Sequence, residues 1–203
     1  MRVLLVLAVI ATLGGVAHAH RPMIRPRIVR ECPQAASWPL LLACFKDHKL
    51  VATPIGTLDD AKLLSITDDG THGLEGFAIY VGRTGEWHLG GLLGQGGDEA
   101  DFNLLKFEHV GRSSYRVDLA STLSSSATVD GTSSVPSVYR QISAAFCNGF
   151  SFRCMQVVAR CEQIVRGQTI MAYEGTITVH DNTLSVKGAA TDPSCGENVE
   201  EAF

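Results

Sequence analysis

The stretch MQVVARCEQIVRGQTIMAYEG, residues 155–175, decides between two folds. Wound as a helix from Cys154, it gathers Cys154, Val157, Val158, Cys161, Ile164 and Val165 on one face, with Glu162 at the margin and Gly167 placed as a C-cap. Drawn out as a strand, it puts Met155, Val157, Ala159, Cys161 and Val165 on one face, with Gln163 off the pattern. The residues beyond Val165 tip the choice. Arg166-Gly167 turns the chain into QTIMAYEGTITV, where Thr176, Thr178 and His180 alternate with Ile177 and Val179, and TLSVKG returns after the turn HDN. That strand needs a hydrogen-bonded neighbour, so the preceding segment is read as strand, with a short helix near 152–166 as its competitor. Residues 136–147 carry the same ambiguity, Pro136 suiting a helix start.

Working outward, the chain is a series of short runs divided by turn residues. HKLVATPIG, AKLLSIT, GFAIYV, EWHLGGLL, FNLLKFEHV and SYRVDLAST succeed one another, with GRTG a hairpin signal between the third and fourth. Tyr115, Val117 and Leu119 alternate with Arg116 and Asp118, the period of a half-buried strand. Turns recur about every ten residues, as in an all-β chain. The expected fold is mainly β, an antiparallel meander forming a sandwich or partial barrel, stabilised by disulfides. STLSSSATVDGTSSVPS, residues 121–137, reads as a Ser/Thr-rich loop or linker inside one β-rich domain spanning 32–190, and 191–203 reads as an acidic tail.

The first residues speak to destination. Arg2, the apolar run VLLVLAVIATLGGVA and the small-x-small site Ala17-His18-Ala19 predict a signal peptide over 1–19. No second apolar run approaches the roughly 20 residues a spanning helix needs, so no membrane span is expected. The expected location is secreted or periplasmic. Residues 20–31 form a basic, proline-containing arm with Arg21, Arg25, Arg27 and Arg30, whereas all 21 acids lie from Glu31 onward. An acidic body repels polyanions, so no nucleic-acid partner is expected. With 45% hydrophobic and 19% charged residues, the chain has a globular composition.

Six cysteines in an exported chain predict disulfides: Cys32, Cys44, Cys147, Cys154, Cys161 and Cys195. Zinc would require pairs two to four residues apart, and no C-x-x-C occurs. Cys154 and Cys161 are excluded as partners. Seven strand steps separate their Cα atoms by roughly 23 Å, seven helical steps by about 10 Å, and a disulfide tolerates about 7 Å. Cys32 and Cys44 are the natural local pair, which leaves Cys154 and Cys161 to divide Cys147 and Cys195.

Chemistry-bearing motifs are scarce. HLGGLLGQGGDE lacks the lysine and hydroxyl of a phosphate loop, and no cofactor is expected. Asp68, Asp69, Asp98, Glu99 and Asp101 supply hard oxygen ligands for an irregular calcium site between loops, without EF-hand spacing. His72, His88 and His109 follow no metal-binding spacing. Phe77, Tyr80 and Trp87 are candidates to line a cavity in a curled sheet. No catalytic residue is singled out. The expected function is a non-enzymatic binding or interaction module of the cell envelope or extracellular space, its partner a small apolar ligand or an envelope protein. The competing expectation is an extracytoplasmic hydrolase using loop carboxylates.

Overall fold

A computed structural model describes residues 27–69, 74–93, 100–129, 133–149, 154–180, 183–190 and 198–202. The expected signal peptide, most of the basic arm, His72, Asp98, Glu99 and Cys195 lie outside them. The elements run α1 (Arg27–Glu31), β1 (Gln34–Ala35), α2 (Trp38–Asp47), β2 (Leu50–Thr57), β3 (Ala61–Asp68), β4 (Leu74–Arg83), β5 (Glu86–Leu93), β6 (Ala100–Gly111), β7 (Ser114–Val129), β8 (Ser133–Asn148), β9 (Cys154–Val165), β10 (Gln168–His180), β11 (Thr183–Ala190) and β12 (Val199–Ala202). They build two antiparallel sheets, a five-stranded one in the order β1-β5-β4-β3-β2 and a seven-stranded one in the order β12-β11-β10-β9-β8-β7-β6. Both are meanders, apart from β1 returning to pair with β5. The mainly β expectation is correct: antiparallel sheet with a half-barrel and two disulfides.

Two turns expected from sequence have the backbone that tight hairpins require. Thr84 and Gly85 (φ 50° and 89°) join β4 to β5, and Arg166 and Gly167 (φ 50° and 80°) join β9 to β10. Positive φ at both central positions matches the twist of the flanking strands.

The five-stranded sheet is covered on both sides. On one, Leu63, Phe77, Ile79 and Leu93 pack with Tyr115, Val117, Leu119 and Ala145 of the seven-stranded sheet. On the other, Leu64, Ile66, Ala78, Tyr80 and Leu89 pack with Ile28 of α1 and with Leu41 and Phe45 of α2. The Ser37 hydroxyl accepts from the Leu40 amide, 3.5 Å away, to cap α2. A third cluster lies on the opposite face of the seven-stranded sheet and includes Ala144, Phe146, Val157, Tyr173, Leu184 and Val186.

Four expectations are corrected. Residues 136–147 and 152–166 hold no helix among those described; they lie in or overlap β8 and β9. Strand β8 is buried on both faces, Ala145 and Cys147 toward one cluster, Ala144 and Phe146 toward another. A strand buried on both sides loses the polar alternation that would distinguish it from a helix. The described Ser/Thr-rich residues, 121–129 and 133–137, are strand rather than loop or linker: β7 and β8 pair continuously from Ser114↔Asn148 to Val129↔Ser133. There the backbone ladder carries the order, without an apolar face to advertise it. The acidic tail 191–203 contributes β12, which pairs with β11 and packs Val199 against the third cluster. The end of the basic arm 20–31 is helical, because Ile28 is wholly buried and draws α1 onto the sheet.

Disulfides join Cys32 to Cys44 and Cys147 to Cys154. The excluded Cys154–Cys161 bond does not form, and Cys161 is also oxidised. Cys147 and Cys154 are register partners across the β8–β9 hairpin, with Cα atoms 4.2 Å apart. The same interval of seven therefore works when a turn intervenes and fails along one strand. The bond lies against Gly91 of β5, where an added Cβ would stand 2.7 Å from the Cys154 sulfur. Only glycine lets the two sheets meet there.

Candidate functional site

Beyond the region covered by the five-stranded sheet, β9–β12 present a polar outer face. On β10 the residues Ala172, Glu174, Thr176, Thr178 and His180 follow the two-residue period and fall on it. Register places Arg160 and Ala189 beside Glu174, Glu162 beside Ala172, Lys187 beside Thr176, Ser185 beside Thr178 and Thr183 beside His180. Glu200 of β12 is the partner of Ser185. The inward residues of the same strands, Tyr173, Leu184 and Val186, are buried, so the displayed side chains stand on a packed base.

Two hollows lie on this face. The first, about 450 Å³, is lined by Arg160, Cys161, Glu162, Ala172, Tyr173, Glu174 and Ala189, with Glu162 ion-paired to Arg140 at 3.4 Å. The second, about 460 Å³, is lined by Thr178, His180, Thr183, Ser185, Lys187 and Glu200. Thr176 and Lys187 lie side by side between the two groups. Ala172 and Thr178 are six strand steps apart, roughly 20 Å. Close to the first hollow, Gly175 pairs with Gly188. Across the strands, a Cβ added at Gly175 would meet Val186 Cγ1 at 2.8 Å and one added at Gly188 the Glu174 carbonyl oxygen at 2.2 Å, so β10 and β11 come closer there than side chains allow.

A second constellation lies where the two sheets meet. Asp60, in the β2–β3 turn, receives the Tyr115 hydroxyl on Oδ2 at 3.0 Å, while His109 Nε2 stands 3.0 Å from Oδ1. His109 and Tyr115 are cross-strand partners with ring centroids 4.9 Å apart. Oδ1 receives no well-aligned donor, so the histidine contact is a close approach rather than a directed hydrogen bond. Burial, then the hydrogen bond to Asp60 and its charge, push the Tyr115 phenol well above its ordinary value, with Arg83 pulling slightly the other way. Arg83 donates to the Gly149 carbonyl and pins β4 to the end of β8.

The third is aromatic. The two tryptophans of the chain, Trp38 and Trp87, meet edge to face at 5.1 Å. The Lys62 ammonium lies 5.1 Å and 5.7 Å from their ring centroids. Trp87 lies over Gly82, its register partner, where a side chain would touch the indole.

Residues singled out from sequence are dispersed. Phe77 and Tyr80 point to opposite faces of the five-stranded sheet, Phe77 against Phe102 and Tyr80 against Phe45. The Tyr80 hydroxyl donates to the Cys32 carbonyl at 2.6 Å. Trp87 shares the helix-covered side with Tyr80 but is half-buried at its margin. The three therefore do not line a common cavity. Asp68 ends β3 and Asp69 follows it in a turn, while Asp101 is the second residue of β6, beside Thr122. Among the described residues, one group brings three metal-type ligand atoms together, Cys32, Cys44 and His48. Both of its sulfurs are spent in a disulfide, so it lacks the thiolates that zinc would take. His88 pairs with Glu86 at 3.3 Å. Among the described residues no helix is long and apolar enough to cross a membrane.

No family model, no curated protein and no solved structure matches this chain.

Proposed function

We propose that this protein is an exported binding module that recognises its ligand on the outer face of β9–β12. One observation carries the proposal: two hollows lie in line on an exposed polar face whose opposite side is packed core. A rigid sheet loses little conformational freedom on binding, which favours recognition by a preformed surface. The signal-like N-terminus and the oxidised cysteines fit a compartment where disulfides persist. The test is native mass spectrometry of the protein purified from its own host, beside a variant carrying Thr178→Glu and Ala172→Glu. A co-purifying mass present on the wild type and lost from the variant is the expected result. A mass retained by the folded variant, or none on either protein, refutes the proposal.

A hydrolase is the second reading, favoured by the Asp60–His109 contact. A carboxylate beside an imidazole is the arrangement that orients a general base, and both side chains are more than two-fifths exposed. Ester and glycoside panels assayed with wild type and His109→Ala decide it: turnover abolished by His109→Ala supports the hydrolase, and turnover absent or unchanged removes it.

A further inference from the structure

Resting on the binding-module reading, we infer that the ligand is an uncharged, hydroxyl-rich chain, of the saccharide class, lying along β10 and β11 across both hollows. The side chains choose this chemistry. In the second hollow Thr178, Thr183 and Ser185 each offer an O–H donor and oxygen lone pairs, matching hydroxyls that also donate and accept. Lys187 and Glu200 line the same hollow, adding an ammonium donor and a carboxylate acceptor to its rim. The first hollow adds Arg160 as a donor and Glu174 as an acceptor, with Glu162, held by Arg140, beside them and Tyr173 among the lining residues. Carboxylates accept hydrogen bonds from neighbouring hydroxyls through two oxygens.

Charge removes the rivals. Glu162 is already paired with Arg140 at 3.4 Å, so Glu174 and Glu200 stand against Arg160 and Lys187 and the two hollows balance, on a protein of net charge −4. A nucleic acid or other polyanion finds no excess of cations there and an acidic protein behind it. An apolar protein partner would want several large exposed aliphatics or aromatics at its centre, whereas Tyr173, 2% exposed, is the one aromatic lining these hollows, among threonines, serine, alanines, a cysteine and charged groups. The in-line placement points to a chain rather than a single ring, because one small molecule cannot fill both hollows at once. Two linked contacts strengthen each other through effective concentration, so affinity should rise steeply once the ligand spans both.

The experiment is a calorimetric titration of the full mature protein with cello-, malto- and chito-oligosaccharides of two to eight units, with polyglutamate as the anionic control. At least one series should bind, with the longest member at least tenfold tighter than the shortest. In that series Thr178→Ala with Ser185→Ala should weaken binding at least tenfold, and Glu174→Ala should flatten the length dependence. No binding at millimolar concentration by any series overturns the inference, as does polyglutamate binding equally well or a double variant that binds unchanged. The native-mass experiment separates the two levels. A non-saccharide ligand lost from the Thr178→Glu, Ala172→Glu variant sinks this inference and leaves the binding module standing. A ligand retained by that variant removes both.

Discussion

The two sheets solve the same problem in opposite ways. The five-stranded sheet hides both faces, one under α1 and α2 and one under β6–β8. The outer half of the seven-stranded sheet packs one face and leaves the other to solvent. A strand buried twice spends its side chains on cohesion, whereas a strand buried once has every second residue available for recognition. Stability and display are thus allotted to different parts of the chain, and substitutions should sort accordingly.

The largest effect belongs to the doubly covered sheet. Phe77→Ala should cost about 3–5 kcal/mol in urea denaturation, since Phe77 is 1% exposed and packs on Phe102. A loss below about 1 kcal/mol would mean that this interface is not the main core. Next comes the seat of the disulfide. Gly91→Val should destabilise by about 1–3 kcal/mol through overpacking against Cys147 and Cys154. The loss should shrink in a Cys147→Ala, Cys154→Ala background, where the sulfurs are gone, and a double-mutant cycle reads that coupling.

Alkaline titration separates the regions without mutation. Burial raises the phenols of Tyr80, Tyr115 and Tyr139 above their ordinary value. A group whose pKa is higher folded than unfolded contributes stability that is whole below the unfolded value, about 10, and is lost as pH rises toward the folded one. Tyrosinate absorbance at 295 nm should therefore stay low just above about pH 10 and rise together with loss of far-ultraviolet ellipticity. A full rise with the ellipticity intact would contradict the burial. Tyr115→Phe comes next, costing about 1 kcal/mol by removing the donor to Asp60. The smallest effect falls on the displayed face, where Thr178→Ala should leave stability within about 0.5 kcal/mol. A larger change would mean that this face does structural work.

The features visible in the sequence are those that local rules govern. The hairpin at Arg166-Gly167 and the alternation from Tyr115 to Leu119 depend on neighbours within a few residues, and the Cys32–Cys44 bond on a separation of 12. The Ser/Thr-rich hairpin escapes because nothing apolar marks its pairing, and β8 is ambiguous because both its faces are apolar. The candidate site is half legible. Thr176, Thr178 and His180 show their common face, but their alignment with Ser185, Lys187 and Glu200 depends on register across two further strands. Asp60 and His109 come from turns and strands of different sheets, a proximity that no spacing in the chain encodes.

The placement of the sulfurs bears on how the chain matures. Cys32 with Cys44, and Cys147 with Cys154, are successive cysteines in order of synthesis, separated by 12 and 7 residues. Each short loop yields about 2–3 kcal/mol of chain-entropy stabilisation. An oxidase that joins thiols as they emerge would make both bonds correctly at the first attempt, with no reshuffling by an isomerase. The β8–β9 hairpin would then be locked before β5 settles on it, so Gly91 comes to rest on a finished bond.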